Sequence, residues 1–438
     1  MDSIDQTKIT ADDLIVRATA MIPVLRDRED AAEAARMVPS ETIADMREAG
    51  FFRAFQPTRY GGYELDVDLL LAMGIALGRG CGSSAWVGNL AMMHQWMISG
   101  FPEQAQDDLW ANDGDAIALG SYAAAAAAMP VDGGFRISGR WPFSSGCDHG
   151  DWALLGARFV ASGDNGSTMP GLVLVPREDC AIVDDWHAVG LAASGSKLIV
   201  CEDVFVPAHR HALFPDLAAA RGPGRAVNTG AIYAIPLLAV MPIAISAPAL
   251  GMLSAAIDDF TEDTRVRETR GAVAGGGFSM AGFASVQTRL AEASVALDAA
   301  RLLLERDLAE TLAIARADGS YSVDLRIRNR LSHGYAVKLA VDTINGLYAV
   351  SGGGGLYRTG RLQRAWRDIN AVGHHIGLNW DAISTMYGQH RLGLEPQGQY
   401  LGQYCPSSHE KPARIPPGRL ITNVGVVRRS ISRLWSGG

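Results

Sequence analysis

The sequence predicts an α+β fold in which a β-rich middle separates two helical parts. Three observations carry this. Apolar residues recur at helical spacing from about Thr10 to Asn112. From about Ala116 to Pro207 the texture changes to short β-rich runs bounded by Gly, Pro, Asp and Asn. From about Asn228 to Arg391 long amphipathic helical runs return. The expected divisions are a helical domain over 1–115, a β domain over 116–225, a helical bundle over 226–395 and an extended tail over 396–438.

In the first part, Leu14, Ile15, Ala18, Met21, Ile22 and Leu25 share one helix face. A second helix is expected over Ser40 to Glu48, with Ser40 and Thr42 as candidate N-caps and Gly50 just past its end. Leu69 to Leu77 and Ser84 to Ile98 are further helical runs. In the middle, Phe135 to Ser138 follows a Gly-Gly turn, and Trp152 to Phe159, Gly171 to Val175 and Leu198 to Val206 read as strands. The alanines from Ala123 to Ala128 favour a helix by propensity. Pro130 and the next strand follow at once, so they read as a loop or strand entry. Ser285 to Ala315 and Val323 to Tyr348 read as long amphipathic helices. No internal repeat is present.

Composition narrows the class. The chain has 438 residues, 48% hydrophobic and 20% charged, an ordinary globular mix. Lys plus Arg is 39 and Asp plus Glu 47, so the net charge is −8. That balance argues against nucleic-acid binding, which needs a basic surface. The 5 cysteines are scattered and include no C-x-x-C pair, which fits a reducing cytoplasm and no zinc site. The first ten residues carry no apolar run of the signal-peptide kind. From Ala226 to Ile257 there is no charged residue, and length alone permits a membrane span. Pro236, Pro242 and Pro248 interrupt the stretch, so a buried core helix and no membrane association are expected.

Several groups could carry chemistry. Ser144 and Ser145 precede Gly146 at a strand end, where a small neighbour lets a ligand approach the backbone; alone they read as turn serines. His94 sits in Ala91-Met92-Met93-His94-Gln95-Trp96, where a satisfied core histidine is the usual outcome. His374 and His375 follow Arg367-Asp368 in the last helices. Ser194-Gly195-Ser196 offers hydroxyls and backbone N–H groups, and the run Gly352 to Gly355 alone is only a flexible loop. His209-Arg210-His211 lacks a matching carboxylate or cysteine, so it reads as a solvated loop rather than a metal site. No P-loop and no strand-bound G-x-G-x-x-G appear.

The segment Gly139-Arg140-Trp141-Pro142-Phe143-Ser144-Ser145-Gly146 resembles the flavin-facing segment of the acyl-CoA dehydrogenase fold. It more closely resembles oxygenase components of two-component flavin-dependent monooxygenases, of the 4-hydroxyphenylacetate 3-hydroxylase, secosteroid phenol hydroxylase and dibenzothiophene monooxygenase types. Further matching segments are Gly50 to Arg53 with Gly61-Gly62-Tyr63, Trp186 to Leu191 leading to Ser194-Gly195-Ser196, Glu202 to Pro207, and Gly352 to Gly355 followed by Arg364 to Asp368. The resemblance runs from about Leu14 to Leu394 and implies an N-terminal helical domain, a β-barrel-like domain and a four-helix bundle.

It also implies a chemistry. Such an oxygenase takes reduced FMN or FAD from a separate NAD(P)H:flavin reductase. It reacts the flavin with O2 at C4a and protects the hydroperoxide in a dry pocket. Ser145, with Ser144 as fallback, would hydrogen-bond flavin N5, and Trp141 and Phe143 would also bind the flavin. His375 would handle the peroxide proton, with His374 beside it. His94 would hold or deprotonate an aromatic, phenolic substrate, and Ser121 would bond the same oxygen. Ser194, Gly195 and Ser196 would meet the ribityl or phosphate. Relatives commonly have Arg-Gly-Thr-Gly-Ser there; here Ala192-Ala193 precedes Ser194, and Arg267 would supply the missing cation. Gly353 and Gly354 would approach the flavin of a neighbouring subunit, which makes a homotetramer functional.

Two other readings stand beside it. An acyl-CoA dehydrogenase with tightly bound FAD needs a carboxylate to take the α-proton of a thioester. From Leu331 to His390 there is no glutamate, although Asp258, Asp259 or Glu262 could serve from another helix. The other reading is a flavin-free scaffold subunit. Indoles, thiophenes and amines are alternative substrates on the same scaffold.

Overall fold

The computed structural model describes residues 9–160, 168–269 and 279–396. The tail expected beyond residue 396 lies outside the described residues. The first apolar stripe folds as two helices, α1 (Ala11–Ala20) and α2 (Ile22–Ala35). They break at Met21, where Pro23 enters the first turn of α2 and needs no N–H partner there. Leu14, Ala18 and Leu25 still face one core. Helix α3 spans Ser40–Glu48, but Pro39 holds its N-cap position, so neither Ser40 nor Thr42 caps it. Thr42 instead accepts a hydrogen bond from Arg28 at 3.1 Å. Helices α4 (Leu69–Gly78), α5 (Gly82–Ile98) and α6 (Glu103–Trp110) complete this part.

Seven strands follow: β1 (Ala118–Val131), β2 (Gly134–Ser144), β3 (Trp152–Val160), β4 (Thr168–Pro176), β5 (Ala181–Val183), β6 (Lys197–Pro207) and β7 (His211–Leu213). Their order is β5-β6-β2-β1-β3-β4-β7. The alanines Ala123 to Ala128 lie within β1, not in a loop, because pairing with β3 outweighs helix propensity. The register of β1 on β3 shifts between Ser121 and Ala126, a bulge that bends the strand. Strand β1 belongs to both halves of the sheet. Ile137, Trp141 and Ile199 from one half meet Leu155, Phe159 and Val173 from the other in one buried cluster.

The remaining helices are α7 (Phe214–Ala218), α8 (Leu237–Val266), α9 (Ala284–Arg316), α10 (Val323–Ala349), α11 (Arg361–Gly373) and α12 (Trp380–Arg391). The uncharged stretch begins in short turns and becomes helical only at Leu237, with Pro236 at the N-cap. The most apolar window of α8 is 94% buried within the protein. Close packing explains the glycine at its centre. A Cβ on Gly251 would lie 2.4 Å from the Ile75 carbonyl oxygen of α4.

Charged clusters join the parts. His209 and Arg210 each bond Asp108 of α6 at 2.6 Å, so the expected solvated loop is a fixed junction between the β domain and the first helices. Arg364 of α11 reaches Glu29 at 2.8 Å and Glu33 at 2.6 Å on α2. Arg367 bonds Glu33 at 2.8 Å and the Val189 carbonyl at 2.8 Å. Asp368 accepts from the Leu191 N–H at 2.6 Å. Removing one member leaves buried charge uncompensated. Arg364→Met is expected to cost about 3–5 kcal/mol and lower the thermal midpoint by several degrees, read by differential scanning fluorimetry; an unchanged midpoint would mean that the cluster is not structural.

Candidate active site

Helix α5 organises the site because it carries Trp86 and His94. Eight residues of helix separate them by about 12 Å. At the Trp86 end, the indole N–H donates to Ser145 Oγ at 3.0 Å. Ser145 Oγ lies 2.7 Å from Ser196 Oγ, which lies 2.7 Å from Ser194 Oγ. All three serines are buried. A hydroxyl has one donor and two acceptor positions. Trp86 and Ser196 use two at Ser145, so one remains for a ligand. The turn that places it is strained: Phe143 adopts φ +59°, uncommon for a bulky residue, and its ring is 70% exposed. Trp186 meets that ring edge-on at 6.0 Å between centroids. Gly195, at φ +54°, permits the turn between Ser194 and Ser196.

His94 is buried, and its Nδ1 lies 2.7 Å from the Ala118 carbonyl oxygen on β1. A carbonyl only accepts, so Nδ1 carries the hydrogen and Nε2 has the free lone pair. Burial pushes the imidazole down to about 4, so the ring is neutral at neutral pH. Tyr122 packs against it at 5.3 Å between centroids. Ser121 is half-buried at the β1 bulge, and its hydroxyl is met only by the Ala123 N–H at 3.5 Å among the described residues. One strand thus brings Ala118 and Tyr122 to the His94 end.

His375 closes the other end. Its ring meets Trp86 edge-on at 5.7 Å, so Trp86 touches both Ser145 and His375. Its Nδ1 accepts from the Gly377 N–H at 3.0 Å. Burial, then the nearby Arg330 charge, pushes the imidazole down to about 4. His374 is exposed at the end of α11 and lies outside this group.

Other sequence-predicted residues are placed differently. Trp141 points into the β-domain core, where its N–H donates to the Gly156 carbonyl at 2.8 Å; alternation along β2 turns its ring away from the site. Ser144 is fully buried and donates to the Trp141 carbonyl at 2.9 Å, whereas Ser145 keeps a free hydrogen-bond position. Arg267, at the end of α8, bonds the Ser351 carbonyl and lies against Gly354, so it braces the glycine loop of its own chain. Gly353 and Gly354 form an exposed turn. Trp86 and Tyr122 belong to no matching motif in the sequence, whereas Trp186 opens the matching segment Trp186 to Leu191. The eight-residue spacing of Trp86 and His94 on one apolar helix was the available signal. Among the described residues no cluster could hold a metal.

The acyl-CoA dehydrogenase N-terminal domain model matches residues 16–113, and the C-terminal domain model residues 243–380. The FADH2-dependent resorcinol hydroxylase oxygenase component of Rhizobium sp. strain MTP-10005 is 40% identical, over 88% of this chain and 96% of that one. Among solved structures, the 3-HSA hydroxylase of Rhodococcus sp. RHA1 superposes with a TM-score of 0.82 at 35% identity, covering 88% of this chain and 98% of that one. XiaF from Streptomyces sp., solved with FADH2 and glycerol, gives 0.80 at 27% identity, covering 88% and 96%. The chain belongs to this family: it is an acyl-CoA-dehydrogenase-fold oxygenase component of the flavin-dependent monooxygenases. The residues present fit a reduced flavin. Ser145 retains one hydrogen-bond position, and the exposed Phe143 ring offers a flat apolar face.

The histidines also set a pH dependence. His94 is held at about 4 and His333 of α10 at about 3, against 6.5 for each when free. Both are neutral in the fold, so their contribution is complete above pH 6.5 and is lost as the pH falls toward 4. Acidification from pH 7 to 5 is expected to cost about 2 kcal/mol per ring. His94→Gln should flatten the fall of thermal midpoint with pH, and an identical slope would contradict the assignment.

Proposed function

We propose that the protein hydroxylates a phenol, with reduced FMN or FAD supplied by a separate reductase and O2 as co-substrate. When bound, the reduced flavin supplies two electrons to O2. One oxygen atom enters the aromatic ring and the other leaves as water. Ser145 holds the flavin edge at its remaining hydrogen-bond position, and the buried serines behind it exclude water. Arg267 keeps the glycine loop in shape. His94 Nε2 accepts the substrate O–H, drawing electron density into the ring and orienting it. Ser121 and Tyr122 flank that oxygen.

The observation that carries this reading is the fixed tautomer of His94, whose bond to Ala118 leaves an acceptor, not a donor, for the substrate. The resorcinol hydroxylase relative supports a phenol, and its description as an oxygenase component supports a separate reductase. A cytoplasmic homotetramer, with the glycine loop of one subunit near its neighbour's flavin, completes the proposal. A dehydrogenase is disfavoured because the side chain packed on Trp86 is His375 instead of a carboxylate.

The test is oxygen consumption and product analysis with an added flavin reductase, NADH and a panel including resorcinol. The native chain is expected to convert a phenol only when reduced flavin and O2 are both present. His94→Gln should still consume oxygen, but yield per oxygen should drop about tenfold or more, the effect typical of losing a positioned acid–base group. Ser145→Ala should release more H2O2. Full coupling in both variants, or acyl-CoA-dependent dye reduction without O2, would overturn the proposal.

A further inference from the structure

We propose that Arg330 is a positioning residue that holds His375 as a neutral imidazole with its hydrogen on Nε2. This rests on the reading of His375 as the histidine beside the flavin. Arg330 lies on α10, and its Nη2 donates to the Gly377 carbonyl at 2.8 Å. The N–H of the same Gly377 donates to His375 Nδ1 at 3.0 Å. A peptide N–H can only donate, so Nδ1 is the bare nitrogen and the ring hydrogen sits on Nε2. One guanidinium therefore clamps the residue that selects the tautomer.

Charge acts in the same direction. Arg330 Nη1 is buried without a partner, and no carboxylate bonds this guanidinium among the described residues. The groups around His375 do not offset it. Helix α5 contributes Trp86, and α8 contributes Ile245 beside Gly377. On α10, His333 is itself held neutral by burial and by Arg330. On α11, His374 is exposed, while Arg367 and Asp368 are engaged by Glu33 and Leu191. A proton added at Nδ1 would break the Gly377 bond beside an unneutralised cation. With a hydrogen already on Nε2, the ring donates a hydrogen bond there and does not receive a proton. This narrows the sequence expectation: His375 steadies an acceptor oxygen instead of carrying its proton away.

The test is 15N NMR of the full flavin-free chain labelled at histidine, with the His375 signals assigned by their loss in His375→Gln. The native protein should show the neutral Nε2–H pattern for His375 down to about pH 5, given an imidazole held near 4. Arg330→Gln, which can still donate to Gly377 but lacks the charge, should raise the midpoint by about one unit or more, a tenfold effect. Arg330→Lys should restore a low midpoint. An Nδ1–H pattern in the native protein, or equal midpoints in Arg330→Gln and the native chain, would overturn the proposal. If Arg330→Gln does not fold, the native tautomer and the Lys variant decide, and an ordinary midpoint near 6.5 in Arg330→Lys counts against it. Undiminished product per oxygen in His375→Gln would remove that residue from the flavin site but leave the tautomer result intact.

Discussion

The site depends on the charged face of α11. Arg364 and Arg367 grip Glu29 and Glu33 of α2, and Asp368 grips the Leu191 N–H. These groups are largely removed from water, so each is tolerable only because its partners are in place. Burial pushes the Asp368 carboxyl up to about 7, against the pull of the Leu191 N–H and Arg367. The loop after Leu191 carries Ser194, Gly195 and Ser196, and the end of α11 leads to His375. One helix thus sets the hydroxyl chain and the imidazole relative to each other.

Within that frame, the backbone decides what each histidine does. The Ala118 carbonyl forces a hydrogen onto His94 Nδ1, and the Gly377 N–H forces it off His375 Nδ1. The rings are opposite tautomers: one presents an acceptor, the other a donor. Both stay neutral because burial penalises the imidazolium. A phenol asks for an acceptor at its hydroxyl, and an oxygen atom under transfer asks for a donor. The opposite tautomers present both, and neither ring is itself charged.

Much of this was legible in the sequence. Periodicity located α3, α9 and α10 to within a residue or so, because packing and propensity agree there. It missed the break at Met21, since one apolar stripe runs through two helices, and it left Ala123 to Ala128 between loop and strand entry, where the structure has a strand paired with β3. His94, Ser145 and His375 could be named from motif order, and the structure joins Ser145 to His375 through Trp86. The sequence ranks Ser145 ahead of Ser144, but it could not set Trp141 aside, because the turn at Phe143 decides which side chain faces inward. Tautomers depend on distant backbone atoms, so Ala118 and Gly377 carried no signal.

The most direct measurement is a crystal structure of the protein with a bound flavin and a phenol that turns over slowly. The phenol oxygen is expected within about 3 Å of His94 Nε2, with Ser145 Oγ at the flavin ring edge and His375 Nε2 directed to the same ring. A phenol hydroxyl bound away from His94, or a flavin ring that leaves Ser145 bonded only to Trp86 and Ser196, would contradict it.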